Sequence, residues 1–347
     1  MARRKRTSTK KRGCGCFAFL LAALLLGMLA AGAGAAWLVM TPYGPQTETF
    51  VTLTPGSSTA RMGEQLEGAG IIRSRYAFAL VRLWKWGTLK AGEYRFDHPA
   101  PVTEVYSRIA RGDVYTISVT IPEGANMFDA AARLEQAGLA GGQDFVDAVQ
   151  NHRELVADLD PGAKNLEGYL FPDTYHFPRK ANSTQIAATM VRRFRTIARQ
   201  LGLRGDLHKV VTMASLVERE SAVEAERPLV ASVFQNRLAK QMPLATDPSL
   251  IYGLELEGRW RGTIYASDLK RDTPYNTYLH AGLPPGPIAN PGMKSLRAAM
   301  EPARTDYLYF VAAGANPQGQ SIFSRTLAEQ NKAVAGYRHA VKKAGGR

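Results

Sequence analysis

From Cys16 to Met40 the chain runs 25 residues without a charge, CFAFLLAALLLGMLAAGAGAAWLVM. As a helix this stretch reaches about 37 Å at ~1.5 Å per residue, and the hydrocarbon core of a bilayer is ~30 Å thick. It is therefore long enough to span with some tilt. The segment before it, MARRKRTSTKKR, holds seven basic and no acidic residues, which sets the N-terminus on the cytoplasmic side. Trp37 stands near the far end, where an aromatic anchor is expected. A cleaved leader is the competing reading, because Ala30–Ala36 contains A-x-A patterns. Leader apolar regions are usually ~7–15 residues long, and here the run continues through Trp37, Leu38, Val39 and Met40, so a retained single span is expected. Cys14 and Cys16, the two cysteines of the chain, precede the apolar run. That position argues against lipid attachment and leaves the exported part without a disulfide.

Beyond the span, charge excludes more than it proposes. The whole chain carries 44 Lys and Arg against 30 Asp and Glu. Seven of the basic residues lie in 1–12 and no charge lies in 13–40, so the rest holds 37 basic and 30 acidic residues. An excess of that size suits an anionic surface without requiring one. There is no RRM-type aromatic motif and no zinc-finger spacing, so nucleic acid is not an expected partner.

At 347 residues the chain has room for two or three domains at roughly 100–200 residues each. An internal repeat marks a boundary. TLTPGSSTARMGEQLEGAGI (52–71) and TIPEGANMFDAAARLEQAGL (120–139) align without gaps and share six of twenty positions, among them Gly56/Gly124 and Gly70/Gly138. Each copy reads as a strand, a Gly turn, an amphipathic helix and a Gly stop. The first copy leads into a helix near 74–84, a strand near 89–96 and a helix over 102–112. The expected organisation is a basic cytoplasmic tail (1–15), a transmembrane helix (16–40), a linker (41–48), a small α+β module (49–116) and a larger mixed α+β domain (117–345).

The usual catalytic signatures are missing from the sequence. It has no G-x-S-x-G, no H-E-x-x-H, no C-x-x-C and no Walker or Rossmann glycine pattern. Its six histidines are scattered, so neither a metal nor a cofactor is expected. Carboxylate acid–base chemistry remains. Residues 206–221, DLHKVVTMASLVERES, read as a helix capped by Asp206. Its two glutamates, Glu218 and Glu220, have different neighbours at helical spacing. Ala214, Ser215, Ser221 and Ala222 flank Glu218 and are small, which suggests room for a ligand. Leu216, Val217, Val223 and Glu224 flank Glu220 and suggest less. A carboxyl at the edge of an apolar helix face is desolvated, which favours the protonated form a general acid needs. The aromatic-rich segments 166–177, 246–253 and 272–292 contain Tyr169, Tyr252, Tyr275, Asn276 and Tyr278. Aromatic faces among amide and hydroxyl groups suit sugar rings, although any single tyrosine is more often a packing residue.

Together MASLVERES (213–221), LEGYLFPDTY (166–175), TDPSLIYG (246–253), PYNTY (274–278), GLPPGPIANPG (282–292) and YLYFVA (307–312) resemble the endolytic murein transglycosylase (YceG-like) family, in family order across about 50–340. The resemblance implies a small LysM-like module, then a catalytic domain on the outer side of the cytoplasmic membrane. The implied substrate is the glycan strand of peptidoglycan, with peptidoglycan synthases as possible partners. It implies a lyase that cuts MurNAc–GlcNAc bonds inside nascent strands, leaves 1,6-anhydroMurNAc ends and so limits strand length. The resemblance puts the catalytic glutamate on Glu218. Substrate contacts are expected at Glu167, Tyr169, Asp173, Ser215, Tyr252, Tyr275, Asn276 and Tyr278. Where the family often has His-x-Phe, this chain has Ser321-Ile322-Phe323. A muramidase-type hydrolase, with Glu167 or Asp173 as second carboxyl, and a non-catalytic peptidoglycan-binding scaffold are the alternatives.

Overall fold

The computed structural model describes residues 14–316 and 319–345. Most of the expected basic tail therefore lies outside the described residues. The chain is mixed α+β and divides into two compact units, one ending at Thr116 and the other beginning at Ile117.

The first unit opens with α1 (Cys14–Met40), whose apolar stretch Phe17–Met40 is long enough to cross a membrane. Then come β1 (Thr49–Leu53), α2 (Thr59–Gly68), α3 (Arg75–Trp84), β2 (Gly92–Phe96) and α4 (Val102–Arg111). β1 and β2 pair antiparallel with Val51 opposite Tyr94. Alternate residues of the pair turn inward, as a half-buried strand requires, and Val51, Leu53, Tyr94 and Phe96 meet Leu66, Phe78, Val105 and Ile109 in one core. Residues 41–48, expected as a linker, are pinned to this unit. Tyr43 and Ala100 exchange backbone hydrogen bonds at 3.1 Å in both directions.

The second unit contains β3 (Ile117–Thr120), α5 (Met127–Gln136), α6 (Gly142–Asn151), β4 (Thr174–Phe177), α7 (Ser183–Leu201), α8 (Leu207–Glu220), α9 (Arg227–Ala239), α10 (Asp247–Leu256), α11 (Ala266–Leu269), α12 (Met293–Met300), β5 (Tyr309–Ala312), β6 (Ser321–Ser324) and α13 (Leu327–Gly345). β3 pairs antiparallel with β4, and β5 with β6. The repeat is visible in the backbone. β1 and β3 are each followed by a left-handed glycine, Gly56 (φ 78°) or Gly124 (φ 77°), and then by a helix closed by Gly70 (φ 69°) or Gly138 (φ 71°). Those φ values are open to glycine and costly for other residues, which is why the matched positions carry it.

Helix α8 is the centre of this unit. Asp206 caps it by accepting from the Lys209 N–H, and every residue from Val211 to Val217 is buried. It packs against α9, α10 and α12. Burial on all sides explains why its sequence shows no clean polar face.

Three chain segments close around one buried amide. Asn290 Oδ1 accepts from the Gly168 and Leu170 N–H groups, each at 2.9 Å, and its Nδ2 donates to the Ala125 carbonyl and to Glu167 Oε1 at 2.9 and 2.8 Å. The other oxygen of Glu167 accepts the Met127 N–H at 2.8 Å, at the start of α5. Gly168 has φ +86°, and a Cβ there would meet Pro287 at 2.5 Å and Val211 at 2.8 Å. Asn290→Ala would leave two backbone donors and the Oε1 of Glu167 without this partner in the interior. Unpaired buried groups cost about 1–3 kcal/mol each, so a loss of about 3 kcal/mol or more is expected in chemical denaturation. A loss below about 1 kcal/mol would show that these hydrogen bonds do not organise the unit.

Candidate active site

The last turn of α8 sends three consecutive charged residues to three places. Glu218 turns inward. Its Oε1 accepts from Arg227 Nη2 at 2.7 Å and its Oε2 from the Gly292 N–H at 2.9 Å. Only 4% of the Glu218 side chain and 11% of the Arg227 side chain are exposed. Glu123 approaches the same guanidinium at 3.6 Å. A Cβ at Gly292 would fall on the Glu123 carboxyl, so a larger residue there would displace that side chain. Arg227 Nε and Nη1 are buried without partners among the described residues. The Glu218 carboxylate is thus the main compensation for a buried charge.

The expected open space beside Glu218 is accordingly a point of correction. The helix ends at Glu220 with Ser221 as its C-cap, so Ser221 and Ala222 do not continue the helix beside Glu218. Arg227, at the start of α9, and Gly292, before α12, occupy its surroundings instead.

Arg219 points another way. Its Nη1 donates to the Gly124 carbonyl at 3.1 Å, and it borders a cavity of about 410 Å³ with Glu123, Asp129 and Arg133.

Glu220 faces a cavity of about 190 Å³ lined also by Phe234, Arg237, Leu244, Ala245, Thr246, Asp247, Tyr278 and Phe310. Among the described residues its carboxyl has no hydrogen bond or ion pair. Desolvation raises its pKa to about 7; Asp247 adds to the rise and Arg237 opposes it. Arg237 is held in place by bonds to the Leu308 and Leu244 carbonyls at 2.7 and 2.6 Å. Tyr278 donates to Asp247 Oδ1 at 2.6 Å. Ala245 sits in the left-handed region at φ 50°, a strained conformation for a residue with a Cβ. Its N–H donates to the Thr277 carbonyl at 2.9 Å. Thr277 Oγ1 in turn accepts the Thr246 N–H at 3.0 Å, which brings the segments 246–253 and 274–278 together at the cavity. A carboxyl poised near neutrality in a polar, walled cavity fits general acid–base work.

Of the residues expected from sequence, the structure brings Tyr278 to the Glu220 cavity. Glu167 belongs to the interior, where burial lifts its pKa to about 8. Tyr169 is buried and donates to Asp160. Asp173 pairs with Arg193 at 2.7 Å. Ser215 is buried; its hydroxyl donates to the Thr212 carbonyl and accepts the Ile288 N–H. Tyr252 is buried edge-on against Tyr275, with ring centroids 5.1 Å apart. Asn276 is buried and donates to the Leu269 and Arg271 carbonyls. None of these side chains lines the Glu220 cavity. At Ser321 the backbone N–H donates to Glu226 at 2.9 Å. Asp247, Arg237 and Ala245 were not singled out by sequence; Asp247 and Ala245 had one signal, their position in or beside the TDPSLIYG segment, and Arg237, in α9, had none. No cluster of three or more metal-ligating side chains occurs among the described residues.

A family model described as the YceG-like family matches residues 51–336. The chain belongs to the YceG-like family. It is 33% identical over 313 residues to the endolytic murein transglycosylase of Bacillus subtilis, covering 84% of this chain and 85% of that protein. The Streptococcus pneumoniae (R6) protein of the same name is 30% identical over 79% of this chain, which spans 56% of that longer protein. The 2.6 Å crystal structure of a YceG-like protein from Listeria monocytogenes is similar with a TM-score of 0.53 and 32% identity, over 83% of this chain and 99% of that one.

Within this YceG-like unit, the two glutamates of α8 predict opposite stability effects. Glu218→Gln removes the partner of a buried guanidinium, and unpairing a buried charge costs several kcal/mol; a loss of about 2–4 kcal/mol is expected. Glu220→Gln removes a carboxyl whose folded pKa lies above its unfolded value of 4.5. The folded state therefore prefers the proton, and wild-type stability is lost as pH rises from about 4.5 to about 7. Glu220→Gln is expected to match wild type near pH 4.5 and to exceed it on the order of 2 kcal/mol at pH 8.5. Urea melts at both pH values check the pair. Equal destabilisation by both variants would remove the distinction.

Proposed function

We propose that this chain is an endolytic murein transglycosylase, a lyase that cuts peptidoglycan glycan strands internally, and that Glu220 is its acid–base residue. The observation that carries the assignment is the Glu220 cavity in a member of the YceG-like family. Glu218, which the resemblance puts in this role, is committed to Arg227 and Gly292 and presents almost no surface to a substrate.

Protonated Glu220 gives its proton to the oxygen of the MurNAc–GlcNAc bond. That bond breaks through an oxocarbenium-like state. The carboxylate then takes the proton of the C6 hydroxyl of the same muramoyl residue, whose oxygen closes on C1. The product end is 1,6-anhydroMurNAc, and Glu220 is protonated again. Water is not consumed, so one carboxyl serves both halves. Arg237 steadies the carboxylate between the steps, and Asp247 with Tyr278 forms a polar rim for a sugar hydroxyl. The cavity is smaller than a typical ligand pocket of ~300–1,000 Å³, which suits contact with one sugar rather than enclosure of a strand.

In this reading α1 anchors the chain to the cytoplasmic membrane with its N-terminus inside, and the unit after Ile117 works outside. Residues 49–116 serve as a LysM-like module, nascent strands are the substrate, and peptidoglycan synthases are the natural partners. A hydrolase needs a second carboxyl flanking the bond. Glu167 and Asp173 are engaged elsewhere, so the residue for that rival is Asp247, which lines the same cavity.

Full-length protein is to be incubated with purified glycan strands and the products read by mass spectrometry. Internal fragments with anhydro ends are expected from wild type and none from Glu220→Gln. The rate should fall as pH rises through about 7, as Glu220 loses the proton it must donate. Cleavage retained in Glu220→Gln would return the assignment to Glu218, and reducing ends would make the enzyme a hydrolase.

A further inference from the structure

Helix α3 is apolar on two faces, and its own unit uses only one. Ala77, Phe78 and Val81 are buried in the core of the first unit. Tyr76, Leu80, Leu83 and Trp84, spaced at three and four residues, form a second stripe that is exposed, with Leu83 at 78% and Trp84 at 69%. Trp86, just beyond the helix, is 92% exposed. A contiguous apolar patch of this kind marks an interaction surface.

Three observations identify what covers it. First, α1 contacts both α3 and α4, and its Leu38 and Val39 pack against the core that contains Phe78 and Val81. Arg73, two residues before α3, stacks over Trp37 of α1 at 4.3 Å and over Tyr43 at 5.0 Å. About 20 residues of a helix fill a ~30 Å hydrocarbon core. If these begin near Phe17, the turn Trp37–Met40 emerges at the membrane surface and α3 lies beside it. Second, the patch has the make-up of an interfacial helix: Trp, Tyr and Leu without an acidic residue. Third, residues 68–92 contain five basic residues and no acidic one; Arg75 pairs with Glu64 at 2.9 Å, and the segment itself holds no charge that an anionic lipid surface would repel. Arg82 and Lys85 reach away from the stripe, to the Tyr106 hydroxyl at 3.0 Å and to Ser107 at 2.8 Å, so the stripe itself stays apolar.

We propose that the outer face of α3, with Trp84 and Trp86 as its anchors, seats in the interface of the phospholipid bilayer from which α1 emerges. The inference rests on the reading of α1 as a membrane span. The docked helix gives the first unit a second attachment and fixes its orientation on the bilayer, which a single helix with a free tether would leave open. The pinning of residues 41–48 through Tyr43 and Ala100 serves the same end.

The chain has four tryptophans, Trp37, Trp84, Trp86 and Trp260, so tryptophan fluorescence tests each part separately. Full-length protein is reconstituted in vesicles of phosphatidylcholine and phosphatidylglycerol, with or without lipid carrying a shallow nitroxide quencher. The Trp37→Phe/Trp260→Phe variant reports on Trp84 and Trp86, and the Trp84→Phe/Trp86→Phe/Trp260→Phe variant on Trp37. The expected result is blue-shifted emission in both, with Trp84 and Trp86 quenched about as strongly as Trp37. If Trp37 is quenched while Trp84 and Trp86 emit as water-exposed indoles, the docking is wrong and the span stands. If those two respond to soluble glycan oligomers and not to quencher lipid, the face is a sugar platform and the proposal fails. An unquenched Trp37 overturns the span, and the docking with it.

Discussion

The second unit depends on a carboxyl and an amide that meet where water cannot reach. Asn290 spends its acceptor on two backbone N–H groups of the 168–170 turn and its donors on Ala125 and Glu167. Its backbone also exchanges hydrogen bonds with the 124–125 turn, donating to Ala125 and accepting from Gly124. Glu167 passes the connection on to the first N–H of α5. Three loops distant in sequence are thereby locked in one register. In a low-dielectric interior such bonds are strong when complete and costly when broken. They also set the floor on which the end of α8 rests, since Gly124, Gly292 and Ile288 each touch the helix through a residue at or near its last turns.

The same floor separates two glutamates that are almost adjacent in sequence. Charge pairing decides between them. Glu218 meets a buried guanidinium and a backbone donor, while Glu220 meets a mixed wall of apolar and polar side chains, a neighbouring acid and a cation already bound to two carbonyls. Counting neighbours at helical spacing singles out Glu218 instead. It assumes that the helix continues past Ser221, and it treats Leu216 and Val217 as obstruction. Burial desolvates Glu220, and desolvation is what a general acid at neutral pH requires.

Elsewhere the sequence was legible to the extent that local chemistry was sufficient. The N-terminal apolar helix, the Asp206 cap, the glycine stops and the strand–turn–helix repeat depend on residues within a few positions of one another, and each appears where its pattern places it. The aromatic segments were less readable. Tyr169, Tyr252 and Tyr275 have the composition of a sugar platform, yet Tyr169 and Tyr252 are buried and Tyr275 packs edge-on against Tyr252. Whether a tyrosine faces a ligand or a core depends on partners far away in sequence, which no spacing rule supplies. Asn290 was invisible for the same reason: its partners lie 120 to 165 positions away.

The cavity also shows why a site of this kind stays destabilised. Ala245 holds a left-handed backbone, and Glu220 holds a carboxyl with no direct partner. Either cost could be relieved locally, by a glycine at 245 or by a basic residue reaching Glu220. Arg237 lines the same cavity, and its guanidinium is bonded to the carbonyls of Leu308 and Leu244 instead of to the acid. A direct ion pair there would stabilise the fold and favour the ionised form of the carboxylate. Glu220 would then have no proton to give. In the proposed mechanism, the carbonyl bonds that hold Arg237 are therefore part of the chemistry.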